Sequence, residues 1–198
     1  MATASYIILV SGFTQHRGHF HGILKLREDL LAAQKQNGEN HRVWYYTWNE
    51  DMRRVASELN SVATYHGHKP RVMLVGYSYG GWGSLRLAKA LDRRGIPVEH
   101  HVLSDPVGRP IYWPTPLPAP SSLLGRRFAW PLMVPGNVRD CWHYHQIENR
   151  PQGHRLKAVD PTRTTIHRSK RLHISHNQMD DSKVFHKKVL SLAPELTR

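Results

Sequence analysis

One cysteine, Cys141, stands in 198 residues. Its solitude excludes an internal disulfide and a thiolate metal cage, and leaves the residue the part of a small buried hydrophobe. Long apolar runs are missing too. None approaches the roughly 20 residues that span a bilayer, and the first strand-like run, Tyr6 to Val10, is too short and too early for a signal peptide. A cytoplasmic location is therefore expected. There are no internal repeats, and the length suits one domain with a substantial core over residues 1–198. Acidic residues are scarce, 15 against 28 lysines and arginines, for a formal charge of +13. Such an excess attracts phosphate-rich or anionic lipid surfaces. The basic residues are scattered, however, and the densest patch, "HRSKRLH" at 167–173, lacks the interleaved aromatics of a single-strand binding platform. The expectation is a solvated basic face with weak contact to anionic surfaces and no specific nucleic-acid partner. Nothing in the pattern speaks to oligomeric state.

What the sequence does contain is alternation. "YIILV" (6–10) runs into "SGF" as a buried strand into a turn. Ile23, Leu26, Leu30 and Ala33 recur at helical spacing over 22–36, with Gly38 placed to end the helix. "RVWYYTW" (42–48) is β-rich. A second helix follows, in which Asn49 caps, Glu50 and Asp51 occupy the first turn, and Met52, Val55, Leu59 and Val62 form one stripe. Val72 to Val75 is a third strand, and residues 84–95 are a third helix with Leu85, Ala88 and Leu91 inward. "VEHHVLS" (98–104) is a fourth strand ending at Asp105. Strands alternating with helices of this length predict a mostly parallel sheet covered on both faces, hence an α/β fold.

After Asp105 the texture changes. Residues 106–136 hold most of the chain's 13 prolines, which lack the donor for regular pairing. Within this region, 109–136 reads as a cap-like insertion whose Trp113 and Trp130 face the substrate. "VRDCWHYHQIE" and "RLKAV" flank the turn-like "NRPQG" and suggest a hairpin. "RLHIS" (171–175) is a last strand, and 181–192 a closing helix with Val184, Phe185, Val189 and Leu192 inside.

Gly76-Tyr77-Ser78-Tyr79-Gly80 matches G-x-S-x-G between an apolar strand and an amphipathic helix. That context strains the turn and pushes the serine oxygen out over the carboxyl edge of the sheet. The glycines are needed there because side chains would meet the neighbouring strand and helix. On these residues, and over most of its length, the chain resembles the α/β-hydrolases, as a compact lipase- or esterase-like member that begins in effect at the family's third strand and lacks its N-terminal ones.

The resemblance implies a triad in the order Ser, Asp or Glu, His. Ser78 is the nucleophile. His176, just past the last strand in "SHNQMDD", takes the histidine's place, against His173, His186, His143 and His145 inside regular elements. Asp105 takes the acid's place, one strand earlier than is commonest in the family, while Asp140 and Asp160 also satisfy the order. By the same resemblance the oxyanion is bound by the backbone N–H of Tyr79 and by one from the loop after "YIILV", where Gly12 and Phe13 replace the usual His-Gly; Phe13 is named first. "HRGHFHG" (16–22) matches no standard metal spacing, so no metal and no cofactor are expected. The expected activity is hydrolysis of a small carboxylic ester through an acyl-enzyme. An acyl thioesterase and a non-catalytic α/β-hydrolase-fold binding protein are the alternatives.

Overall fold

Residues 4–108 and 130–197 are described in the computed structural model. Most of the cap-like segment expected at 109–136, Trp113 included, lies outside the described residues.

The first seven elements follow the expected alternation: β1 (Ser5–Val10), α1 (Gly22–Asn37), β2 (His41–Tyr46), α2 (Met52–His66), β3 (Arg71–Tyr77), α3 (Tyr79–Asp92) and β4 (Val98–Ser104). Then come β5 (Leu132–Val134), β6 (Val138–Gln146), β7 (Leu156–Ala158), β8 (Thr165–Ile166), β9 (Lys170–Leu172) and a last helix, α4 (Lys183–Leu192). The main sheet runs β2-β1-β3-β4-β6-β8, with β9 also on β6, and all its pairings are parallel.

Alternation along β1 explains the two cores. Tyr6, Ile8 and Val10 pack with α2 and α3 through Met52, Val55, Leu59, Leu87 and Leu91, while Ile7 and Leu9 pack with α1 and α4 through Ile23, Leu26, Phe185 and Val189. Residues two apart share a face of a strand, so one strand feeds both layers. Cys141 is fully buried in the first core, and burial pushes its thiol far above the ordinary value.

Several local expectations are corrected. The hairpin does not form: β6 is flanked by β4 and by β8 and β9, all parallel, so it offers no free edge to "RLKAV", whose β7 instead joins β5 in a separate two-stranded parallel sheet. The cap of α2 is Asp51, whose side chain accepts from the Arg53 N–H at 2.9 Å, rather than Asn49, whose amide oxygen accepts from the Thr47 hydroxyl. The third helix begins at Tyr79, five residues before the expected start, since the glycines after Ser78 are themselves helical. At the C-terminal end β9 is shorter than "RLHIS", and α4 starts at Lys183. There Val184 faces outward and His186 is buried in its stead, its Nε2 2.6 Å from the Asp180 carbonyl.

Beneath α3, the fully buried His101 on β4 lies with Nε2 2.8 Å from Ser84 Oγ, and Ser84 donates to the Gly81 carbonyl at 2.9 Å. Burial pushes the His101 imidazole down to about 3. The unfolded chain, with an ordinary histidine, binds this proton well before the native state does. Stability therefore falls as pH drops from about 6.5 towards 3, by up to about 1.4 kcal/mol per pH unit from this group. His101→Gln should flatten that stretch of a plot of denaturant midpoint against pH; an unchanged slope would mean other groups carry it.

Candidate active site

Because the sheet is parallel, β1, β3, β4, β6 and β9 all deliver their carboxyl ends to one edge. The chain leaves β1 outward to β2 and later leaves β3 the other way to β4 and β6. The loops after β1 and β3 thus diverge and open a crevice at the switch point, where ligands of open α/β sheets bind.

Ser78 sits at that crevice between β3 and α3 with φ 51° and ψ −126°. The close packing around it shows why glycines surround it. A Cβ on Gly76 would lie 2.7 Å from the Gly81 Cα, and one on Gly80 would lie 2.7 Å from the Ser11 carbonyl carbon. Thr14, Ser78 and Asp105 are the non-glycine residues of positive φ among the described residues, and all three lie in the loops at this edge. Each such conformation costs about 1–3 kcal/mol and persists only where its surroundings over-determine it.

The side chains meet in a line. Ser78 Oγ is 2.9 Å from His176 Nε2, and His176 Nδ1 is 2.6 Å from Asp105 Oδ2. All three residues are buried, and Asp105 is fully inaccessible. A carboxylate only accepts, so Nδ1 carries the proton and Nε2 presents its lone pair to the serine hydroxyl. The structure therefore brings together the three residues singled out in the sequence. It separates the other candidates. Asp140 accepts from Arg139 Nε at 2.9 Å and pairs with His167 at 2.8 Å; Asp160 accepts from the Thr162 N–H and hydroxyl in its own turn. His173 is exposed beside Glu148, and His143 pairs with Ser169.

The buried Asp105 carboxylate is matched by donors. Oδ1 accepts from the N–H groups of Gln146 (3.2 Å) and Gly153 (2.9 Å), and Oδ2 accepts from Gln146 Nε2 (3.0 Å) besides the histidine. Gly153 is glycine of necessity, since a Cβ would stand 2.9 Å from the Asp105 Cα and carbonyl carbon. The stretch expected to be a hairpin turn instead folds round the acid. Gln146 Nε2 also donates to the Pro151 carbonyl at 2.8 Å, and Asn149 Oδ1 accepts the His176 N–H at 2.6 Å. The histidine loop is held further by the Tyr77 hydroxyl on the His176 carbonyl (2.9 Å) and the Ser104 hydroxyl on the Met179 carbonyl (2.8 Å). Burial pushes the Tyr77 hydroxyl well above its ordinary value, so it stays a neutral donor. None of Gln146, Asn149, Gly153, Tyr77 or Ser104 was singled out from the sequence; for Tyr77 alone, its place inside the G-x-S-x-G motif was a signal.

Tyr79 opens α3 directly after the serine. The Gly12 N–H donates to Gln15 Oε1 at 2.9 Å and is committed there. Phe13 follows, and its exposed ring joins an aromatic cluster round the buried Tyr79: 4.7 Å from Trp48 and 6.4 Å from Tyr79 between centroids, with Trp82 5.2 Å beyond Tyr79. Trp130 is 70% exposed; its carbonyl accepts from His154 Nδ1, and His154 N–H in turn donates to the Pro106 carbonyl beside the acid. The histidines of "HRGHFHG" diverge: His16 and His19 are exposed, while His21 Nε2 lies 3.1 Å from the Tyr45 hydroxyl.

The sequence matches no protein-family model and no curated protein sequence. Solved structures do match in fold. A Xanthomonas campestris pv. campestris protein assigned to the alpha/beta hydrolase superfamily superposes with a TM-score of 0.51 at 15% identity, covering 96% of this chain and 99% of that one. RedJ, a thioesterase from the prodiginine biosynthetic pathway in Streptomyces coelicolor, gives 0.50 at 12% identity, over 98% and 86% of the two chains. A serine-to-alanine variant of YbtT, a type II thioesterase from the yersiniabactin pathway, gives 0.51 at 9% identity, over 98% and 95%. Taken with the parallel sheet, the strand-to-helix turn at Ser78 and helices on both faces, these likenesses show that the chain has the α/β-hydrolase fold.

Proposed function

We propose that the chain is a serine hydrolase that cleaves a small-molecule carboxylic ester through an acyl-enzyme. The observation that carries the reading is the unbroken line from Ser78 Oγ through His176 to a buried, four-fold hydrogen-bonded Asp105. An unassisted serine is a poor nucleophile; a base within hydrogen-bond reach, itself oriented by a third group, is what activates it.

Ser78 Oγ attacks the carbonyl carbon while its proton passes to His176 Nε2. The N–H groups of Tyr79 and Phe13 bind the oxyanion; with the Gly12 N–H committed to Gln15, Phe13 is the next amide of that loop. His176 returns the proton to the departing oxygen, and the acyl group stays on Ser78. Water then attacks with His176 as base, releasing the acid and restoring the hydroxyl. No cofactor enters either step. Phe13, Trp48 and Trp82, packed round the buried Tyr79, offer apolar surface to the acyl group, worth about 0.8 kcal/mol per buried methylene. Trp130, 70% exposed, is proposed to contact substrate as well; Trp113, proposed from the sequence for the same role, lies outside the described residues.

Two of the three structural neighbours described above are thioesterases by name, so a thioester is the second substrate class. A fluorophosphonate probe followed by peptide mapping tests the reading: a single adduct on Ser78 is expected. Turnover of simple esters against acyl-CoA of equal chain length then assigns the class. An unlabelled Ser78, with neither ester nor thioester consumed, would leave a non-catalytic binding protein.

A further inference from the structure

Asp180 is buried four residues after His176, yet its side chain reaches the opposite loop of the site. Its Oδ2 accepts from Gln15 Nε2 at 2.7 Å and from the Gly22 N–H at 2.8 Å. Gln15 passes the link on: its Oε1 accepts the Gly12 N–H at 2.9 Å, its own N–H donates to the Gly12 carbonyl at 3.1 Å, and its carbonyl accepts the Ser11 hydroxyl at 3.3 Å. One amide side chain thus closes the turn 12–15 on itself, with Thr14 held at φ 66°, and ties that turn to the histidine loop. At the far end, Gly22 packs against the Asp180 backbone so closely that a side chain has no room.

We infer that Gln15 and Asp180 are positioning residues, a strap that sets the turn bearing the Phe13 N–H in register with His176. The inference rests on the function proposed above. A buried carboxylate without donors is costly, so Asp180 holds Gln15 firmly; by committing the Gly12 N–H, Gln15 makes Phe13 the next amide of the turn for the proposed oxyanion contact. The two halves of the chemistry, proton transfer by the histidine and charge stabilisation by the turn after β1, come from segments 165 residues apart. This hydrogen bond is a direct side-chain link between them. A misplacement of about 1 Å in such a donor costs on the order of 10²-fold in rate.

The test uses Gln15→Ala, Asp180→Ala and Asp180→Asn in the full chain. Gln15→Ala should lower kcat by about 10–10²-fold with KM changed by less than about threefold, and weaken a trifluoromethyl ketone analogue by the same factor as kcat/KM. Asp180→Asn should recover most of what Asp180→Ala loses, because an amide oxygen still accepts from Gln15 and Gly22. Amide hydrogen exchange over residues 12–22 should quicken by about tenfold or more in Asp180→Ala and not in Asp180→Asn. Unchanged kcat in Gln15→Ala overturns the inference, as does a loss wholly matched by a fall in Tm, or Asp180→Asn behaving like Asp180→Ala. If the wild-type chain consumes neither ester nor thioester, the proposed function fails by itself, and the exchange over 12–22 alone decides whether the strap exists.

Discussion

Ser78→Ala should abolish fluorophosphonate labelling and ester turnover together, with kcat reduced by about 10⁶-fold or to background, while Tm moves little. The hydroxyl donates to His176 and fills almost no core volume, and alanine keeps the Cβ that the turn already tolerates at φ 51°. His176→Ala should cost about as much, because nucleophile and base act as one unit and losing either removes the activated alkoxide. Steady-state rates and the mapped adduct measure both. Undiminished turnover in Ser78→Ala, under conditions where the wild type is active, would refute the assignment of the nucleophile.

Asp105→Asn should lower kcat by about 10⁴-fold, the scale seen when the orienting acid of other serine hydrolases is neutralised. The hydrogen bonds explain why the loss is so large. Oδ1 receives two backbone N–H groups, from Gln146 and Gly153, which cannot turn into acceptors. In the variant the amide oxygen must stay with them, and the new NH₂ then faces His176 Nδ1. The imidazole can answer only by moving its proton to Nε2, where it confronts the serine instead of accepting from it. The NH₂ also confronts Gln146 Nε2, so a moderate loss of stability accompanies the kinetic one. Asp140→Asn and Asp160→Asn are the controls. Both carboxylates serve local contacts, with Arg139 and His167 or within a turn, and both variants should stay within a few-fold of the wild type. Damage at Asp140 or Asp160 comparable with that at Asp105 would mean another acid orients the base.

Much of this architecture was legible because its signals are local. A strand that alternates between two apolar faces, a helix stripe at 52, 55 and 59, and a serine in a glycine-lined turn each need fewer than twenty residues to declare themselves, and the first seven elements follow from them. Asn49 was a plausible cap on residue type alone. The observed cap, Asp51, wins because its side chain is the one beside the first free N–H.

Tertiary structure decided the rest. Chain order alone admitted Asp105, Asp140 and Asp160 as partners for His176; the sequence favoured Asp105, which ends the strand after the serine's own, and the parallel pairing of β3 with β4 sets its carboxylate 2.6 Å from His176 Nδ1. A hairpin over 138–159 satisfied every local rule, and it failed because the strands already paired to β6 left it no edge. The residues that hold the site, Gln146 and Gly153 on the acid and Gln15 on Asp180, have ordinary identities in ordinary loops. Their hydrogen bonds join positions 41, 48 and 165 residues apart, and a hydrogen bond across such a separation leaves no periodicity in the chain. The sequence by itself determined the layered sheet and the serine at its turn, since both are consequences of neighbouring side chains. Which loops fold round that serine and which supporting amides hold the acid was decided by packing, since a buried carboxylate must find its donors wherever the folded chain supplies them.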